Sequence, residues 1–543
     1  MTDTEAKTQM PARDKVVLPK LGPLGMLRWA WRQLTSMKTA LQLLLMLAVA
    51  SVPGSLFPQR PANPAVVTQY ILDNPATGPW LDRLQLFDVY SSVWFSAIYL
   101  LLFISLVGCV IPRARLHWKA LRSAPPRTPR SLSRLPEYGT MTVAAESSLT
   151  VEQAVDDAAQ ILRRHGYRTR LHAGDTDHPS VAAERGYLKE AGNLVFHTAL
   201  IGVLIAVAIG GMFGYRAQKL VIEEEGFTNA ELGYDAFFPG TNFNPDSLSP
   251  FSITLDNFEV RFDRSLTNYG SPIDFRADMT VQNTPTDEPR QEVLRVNEPI
   301  SFGGTNVYLI GNGYAPVVTV RDGDGNIALQ GPVASLPTDA TYNSTIVIKA
   351  PDARPFQLGF VGFFLPTAMV DEDGVAFGSD PDPMNPQLNL NSYYGDLGLD
   401  DGNPVSVYQL DTSGLTQLNG RDMPDGGIVL GAYQTYDLPE GKGSITFDGL
   451  KRYVALDVVF DPGKIGALVF TTLALLGLIF TLIIPRRRVW IRVGKHDDGR
   501  TMVEYGLLAR GEDHGLSKEA VRIGSALTKH WKRTTTESRQ EKS

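Results

Sequence analysis

Four apolar stretches constrain this chain more than any other feature. Thr39 to Leu56, Ser92 to Ile111, Gly192 to Phe213 and Ile465 to Ile484 contain no Asp, Glu, Lys or Arg. At roughly 18 to 22 residues and about 1.5 Å of helical rise per residue, each is long enough to cross a hydrocarbon core of about 30 Å. The chain is therefore read as a membrane protein with four spans. Ala48-Val49-Ala50 has the small-x-small spacing of a signal-peptide cleavage site. A leader of roughly forty residues, however, is too long for an ordinary n-region, and the first stretch is read as a span.

Charge between the stretches sets an orientation. Arg28, Arg32 and Lys38 precede the first stretch, Arg113, Arg115, Lys119 and Arg122 follow the second, and Arg486-Arg487-Arg488 follows the fourth. Short basic flanks of this kind stay in the cytoplasm. Between Gly214 and Gly463, 35 Asp and Glu face 14 Lys and Arg, so the overall net charge of -7 hides a strong asymmetry. That acidic region is expected outside, with both termini cytoplasmic. Nothing in this balance suggests a nucleic-acid partner. The expected division is a cytoplasmic segment (1–38), span (39–56), external loop (57–91), span (92–111), cytoplasmic linker and small module (112–191), span (192–213), extracytoplasmic domain (214–464), span (465–484) and cytoplasmic tail (485–543).

Local patterns refine these parts. The Pro- and Arg-rich run Ser123 to Pro136 cannot continue a helix and reads as an extended tether. Thr150 and Gln153 form a capping box for a helix running to about Arg164, with strands expected at Tyr167 to Leu171 and Val181 to Leu188. Together they make a small α+β module. Its histidines, His165, His172 and His178, are spaced too irregularly for a metal signature and read as solvated surface groups. In the outer region, apolar and polar residues alternate over Ser252 to Phe262, Phe275 to Val281, Val317 to Arg321 and Ile445 to Val459, which predicts a β-rich domain, a sandwich or a pair of packed sheets. Acidic loops at Asp371 to Gly374 and Asp396 to Gly402 lack the spacing of a calcium loop and read as solvated surface. The polar tail after Trp490 is expected to be part helix and part disordered.

The available chemistry is sparse. The single cysteine, Cys109, lies inside an apolar stretch, so the chain can form neither an internal disulfide nor a Cys-x-x-Cys redox pair. The region 214–463 has no His, Cys or Trp, which leaves it without the usual nucleophiles and haem ligands. His197 is the exception: of eight histidines it alone falls within an apolar stretch. An ionisable side chain in hydrocarbon costs a few kcal/mol and usually faces a helix interface or a functional cavity. The neutral imidazole, the form that binds iron, is favoured there. His197 is thus a candidate haem ligand or a residue bonded to a neighbouring helix, and the residues alone leave both readings open. Thr198, Gly202, Ala206, Gly210 and Gly214, spaced by four, predict close helix packing beside it. No second histidine lies in a span, so a bis-histidine haem would draw its other ligand from another polypeptide. Met46, Met212 and Cys109 are internal candidates that read equally as packing residues.

Several segments together resemble the ResB family of cytochrome c assembly proteins. They are Ser55-Leu-Phe-Pro-Gln59, Asp88-Val-Tyr-Ser-Ser-Val-Trp-Phe95, Gly108-Cys-Val-Ile-Pro-Arg113, Arg185-Gly-Tyr-Leu-Lys-Glu-Ala-Gly192 leading to Phe196-His197, Val296-Asn-Glu-Pro-Ile-Ser-Phe302, Gly311-Asn-Gly-Tyr-Ala-Pro316 and Asp461-Pro-Gly463. The resemblance covers about Leu27 to Val489 and lies in architecture and order as much as in any one motif. It implies a non-catalytic subunit that works with a ResC-like or CcsA-like partner to carry haem b across the plasma membrane and present it, reduced, to cysteine pairs of apocytochrome c. By the same resemblance His197 is an axial ligand opposite a histidine of the partner. A thioredoxin-like reductant of the ResA type would supply the thiol chemistry that this chain lacks. The competing expectation is a membrane-anchored protein-binding or sensory protein in which His197 only packs. A solute transporter is a poorer match, because the spans carry few charged residues and show no inverted repeat.

Overall fold

The computed structural model describes residues 22–143, 150–172, 178–372, 374–399, 408–421, 423–424, 426–495 and 501–540. The acidic loops noted above fall partly outside these residues, at Asp373 and from Asp400 to Gly402. The helices in chain order are α1 (Pro23–Leu34), α2 (Met37–Leu56), α3 (Pro64–Asp73), α4 (Gly78–Arg83), α5 (Val93–Arg122), α6 (Val151–Arg164), α7 (Leu188–Phe213), α8 (Lys464–Ile483) and α9 (Leu516–Gln540). Two compact units result, Met1–Val207 with Ile465–Ser543, and Ala208–Lys464.

In the first unit α2, α5, α7 and α8 are long and apolar enough to cross a membrane. Leu41, Leu45, Leu468 and Leu482 are exposed along them. Such side chains are costly in water but at home in lipid, where the helix satisfies its own backbone groups. Ser36 caps α2 by accepting from the Thr39 amide at 3.1 Å, and Ser92 caps α5 by accepting from the Phe95 amide at 3.3 Å. Helix α5 runs beyond the expected end of the second span, across Pro112 as far as Arg122. The Ser105 hydroxyl and the Cys109 thiol of α5 donate to the carbonyls of Leu34 and Thr35, at 2.6 and 2.7 Å. The small-residue stripe of α7 meets α8 of the same chain, since a side chain at Gly202 would strike the Phe470 ring and one at Gly466 would lie against Ala206; off the stripe, one at Gly192 would strike the Gly477 carbonyl. Close approach of this kind is what small residues permit in a membrane.

A mixed module completes this unit. Its five antiparallel strands lie in the order 137–143, 501–509, 487–495, 180–185 and 168–172. The Thr150–Gln153 capping box opens α6 as the spacing predicts, with bonds of 3.2 and 3.1 Å. Helices α6 and α9 cover one face of the sheet through Leu162, Ile523, Leu527 and Trp531, packed on Val489, Ile491 and Val493. The opposite face packs Trp490 and Ala182 against Leu132. The Trp490 indole donates to the Pro126 carbonyl at 3.0 Å, so the Pro-rich run is fastened to the sheet and is not a free tether. The tail also departs from expectation, since residues 487–509 supply two of the five strands.

Arg487 makes two bonds to Asp513, at 2.6 and 3.0 Å, and a third to Glu519 at 3.0 Å, all within a nearly solvent-free site. The guanidinium beside Asp513 holds that carboxyl below its usual range. For Glu519, burial opposes ionisation, but bonds from Tyr167 and Arg522 outweigh it and leave its carboxyl lowered as well.

In the second unit the alternating segments become strands 252–262, 272–282, 305–322 and 443–460. Three larger sheets, of seven, six and four strands, share one core, where a sandwich or a pair of packed sheets had been expected. The two 18-residue strands pair antiparallel from Thr305 with Phe460 to Asp322 with Gly443. Strand 215–222, which directly follows α7, pairs with strand 443–460, which directly precedes α8, in the register Tyr215 to Phe460. Phe360, Phe364 and Tyr314 are fully buried in the core, and the Tyr314 hydroxyl donates to the Pro381 carbonyl at 2.7 Å.

Two stability predictions follow from these contacts. Phe360→Ala should cost about 3 to 5 kcal/mol through lost burial and the cavity it leaves, read as a lowered denaturation midpoint of the β-rich domain. Arg487→Met leaves the buried Asp513 carboxylate without its guanidinium partner and removes one of several bonds to Glu519, and should cost the module about 3 to 5 kcal/mol, read by hydrogen exchange at strands 487–495 and 501–509. Because the folded-state values of Asp513 and Glu519 are depressed, their contribution is complete at neutral pH. It should be lost as pH falls below about 4 and through the folded values. Protection factors unchanged between pH 7 and pH 3, once the intrinsic pH dependence of amide exchange is divided out, would contradict this.

Candidate functional site

One helical face of α7 carries Glu190, Asn193, Leu194 and His197, at the three- and four-residue spacing that aligns side chains along a helix. The part of α5 beyond Pro112 presents Arg113 and His117, also four apart. These two faces line a single cavity of about 680 Å³. Its volume lies within the range of about 300 to 1,000 Å³ common to small-molecule sites. Lys189, Thr481, Arg486 and Arg510 complete the polar part of the wall, and Val110, Leu116 and Leu194 contribute apolar surface. The tyrosine hydroxyl of Tyr99 donates to the Leu204 carbonyl, tying α5 to α7 further along.

His197 bonds through Nδ1 to the Asn193 carbonyl at 2.8 Å. A carbonyl can only accept, so Nδ1 carries a proton, and Nε2 is the nitrogen left to bind a metal. The Phe196 ring lies edge-on to the imidazole, at 5.1 Å between centroids and 89° between planes. His117 also carries a proton on Nδ1, because that nitrogen lies 3.2 Å from the Glu190 carboxylate, which only accepts. It is only 8% exposed, and its Nε2 is buried without a hydrogen-bond partner.

Glu190 is the junction of the wall. Besides His117 it accepts from Arg486 and, at 2.6 Å, from Arg510. Arg486 is almost wholly buried and also bonds Glu184 at 2.8 Å, as does Arg488. Burial alone would oppose ionisation of Glu184, but these two guanidiniums outweigh it and hold the carboxyl below its usual range. Four cationic residues, Arg113, Lys189, Arg486 and Arg510, thus line the cavity with one carboxylate, Glu190. That balance favours a ligand with negative charge at one end and an apolar body.

Of the residues singled out in the sequence, His197 lines this cavity, while Met46, Met212 and Cys109 do not. Cys109 is engaged instead with the Thr35 carbonyl. Sequence reasoning missed His117, Glu190 and the arginines of the wall. The available signal was the four-residue spacing of Arg113 and His117, hidden because the apolar run stops at Ile111 and a proline follows. Among the described residues no group of three or more His, Cys, Asp or Glu is placed to hold a bare metal ion.

Comparison with known proteins agrees with this architecture. The cytochrome c biogenesis protein CcsB of Synechococcus sp. (strain WH7803) is 27% identical over 364 residues, covering 64% of this chain and 74% of the relative. CcsB of Synechococcus sp. (strain CC9311) is 27% identical over 369 residues, covering 65% and 76%. CcsB of Prochlorococcus marinus (strain MIT 9313) is 28% identical over 290 residues, covering 51% and 59%. The model of the ResB-like family matches residues 37–521, which takes in all four spans, the β-rich domain and most of the mixed module, and the chain belongs to that family.

Proposed function

We propose that this chain is a membrane subunit of a cytochrome c assembly complex, working with a ResC-like or CcsA-like haem-handling membrane protein to deliver haem b across the plasma membrane and support its attachment to apocytochrome c. Membership of the ResB-like family and the names of its cyanobacterial relatives support the assembly role. The observation that carries the haem reading is His197, an imidazole held through Nδ1 by the Asn193 carbonyl on the wall of an amphipathic cavity lined by cationic residues.

The residues fit haem better than a bare ion. A metal that arrives inside a porphyrin brings four nitrogen ligands and asks the protein only for axial donors. His197 offers such a donor through Nε2, while Arg113, Lys189 and Arg510 are suited to the two propionate carboxylates. Haem here is cargo, destined for the cysteine thiols of apocytochrome c. This chain's part is to bind and orient it, with a thioredoxin-like partner keeping the receiving thiols reduced. The subunit is non-catalytic in this reading.

In this reading the mixed module and both termini lie in the cytoplasm and the acidic β-rich domain outside, which the basic flanks support. The cavity then opens near the cytoplasmic ends of α5 and α7, where newly made haem is available. The outer domain, without His, Cys or Trp, serves in docking the apocytochrome.

The test is a complex purified with its haem-handling partner from cells that express wild-type chain or His197→Ala. The wild-type complex should show a Soret band, and the variant should lose or shift it and lower the yield of c-type cytochromes. A colourless wild-type complex, or a variant with normal spectrum and normal cytochrome yield, would favour the protein-binding or sensory alternative.

A further inference from the structure

The His117 ring has a feature that the role of His197 leaves unexplained. It is held in the cavity wall with Nδ1 committed to a carboxylate and Nε2 buried without a partner. Leaving a buried polar nitrogen unsatisfied costs about 1 to 3 kcal/mol. Orienting an imidazole through a carboxylate on its far nitrogen is also the usual support of a metal-bound histidine, because it fixes the tautomer and raises the basicity of the ligating nitrogen. Glu190 is well placed for this support, since Arg486 and Arg510 keep it fixed from the other side.

We propose that His117 is a second haem-iron ligand of this cavity, so that the chain offers two imidazoles, His117 and His197, before any histidine of a partner is engaged. Glu190 is the positioning residue for His117. The inference rests on the haem reading of the cavity and adds to it a ligand from the part of α5 that extends past Pro112. It also gives the subunit a way to hold haem alone and to exchange one internal ligand for a ligand of the partner when the complex forms.

The experiment is a titration of the full-length chain with ferric haem, in detergent and without its partner, followed by absorption and electron paramagnetic resonance. Wild-type protein should give a six-coordinate low-spin spectrum. His117→Ala should give a five-coordinate high-spin species that returns to low spin when imidazole is added. His117→Gln keeps an N–H donor for Glu190 and should behave like His117→Ala, which separates loss of the ligand from loss of packing. Glu190→Gln should retain low-spin haem but bind it about 10-fold or more weakly. If His117→Gln binds haem with wild-type spectrum and affinity while His197→Ala does not, His117 is no ligand and the haem reading of the cavity survives. If wild-type protein is high-spin, the two-ligand proposal also fails. If neither histidine variant alters haem binding, both readings fall together.

Discussion

The arrangement around the cavity depends on one ionic cluster with a buried centre, in which Glu184 and Glu190 share the buried Arg486 and draw in His117 and the more exposed Arg488 and Arg510. Charges taken out of water are tolerated only when their partners and hydrogen bonds are complete, and removing one member of such a pair typically costs about 3 to 5 kcal/mol. Here the members come from segments far apart in sequence. Glu184 lies on the strand before α7, Glu190 in the first turn of α7, Arg486 just after α8, and His117 near the end of α5. The cluster thus holds together the segments that line the site, and the same carboxylate that anchors Arg486 sets the tautomer of His117.

Continuity between spans and strands gives the rest of the molecule its order. The strand after α7 and the strand before α8 are antiparallel partners, joined from Tyr215 to Phe460. Two helices that pack through Gly192, Gly202 and Gly477 therefore lead into two strands that share hydrogen bonds. At their other ends, strand 180–185 leads into α7, and strand 487–495, which follows α8, pairs with it. At these ends the two spans are tied by β pairing within their own unit, which suits a chain whose helices must keep a cavity wall in register.

Much of this was legible in the sequence, for identifiable reasons. The spans stood out because hydrocarbon tolerates so few charges. The Thr150–Gln153 cap and strand 252–262 were legible because their determinants are local. The small-residue stripe announced close packing, and the structure supplies the partner, α8. What escaped notice was non-local. Strand 487–495 is covered on both faces, with Val489, Ile491 and Val493 under α6 and α9 and Trp490 under Leu132, so it lacks the alternation of a half-exposed strand. The three arginines from Arg486 to Arg488 were read as a topological signal, and each also has a specific carboxylate partner. His117 was hidden behind Pro112, where a proline normally argues that a helix has ended.

The central claim is that haem sits in the cavity between α5 and α7. Cryo-electron microscopy of the complete assembly, purified with its haem, tests this most directly. The account predicts planar density in the cavity, with iron at the Nε2 of His197 and carboxylates toward Arg113, Lys189 and Arg510. Haem found only elsewhere in the assembly, with lipid or no density against His197, would contradict it.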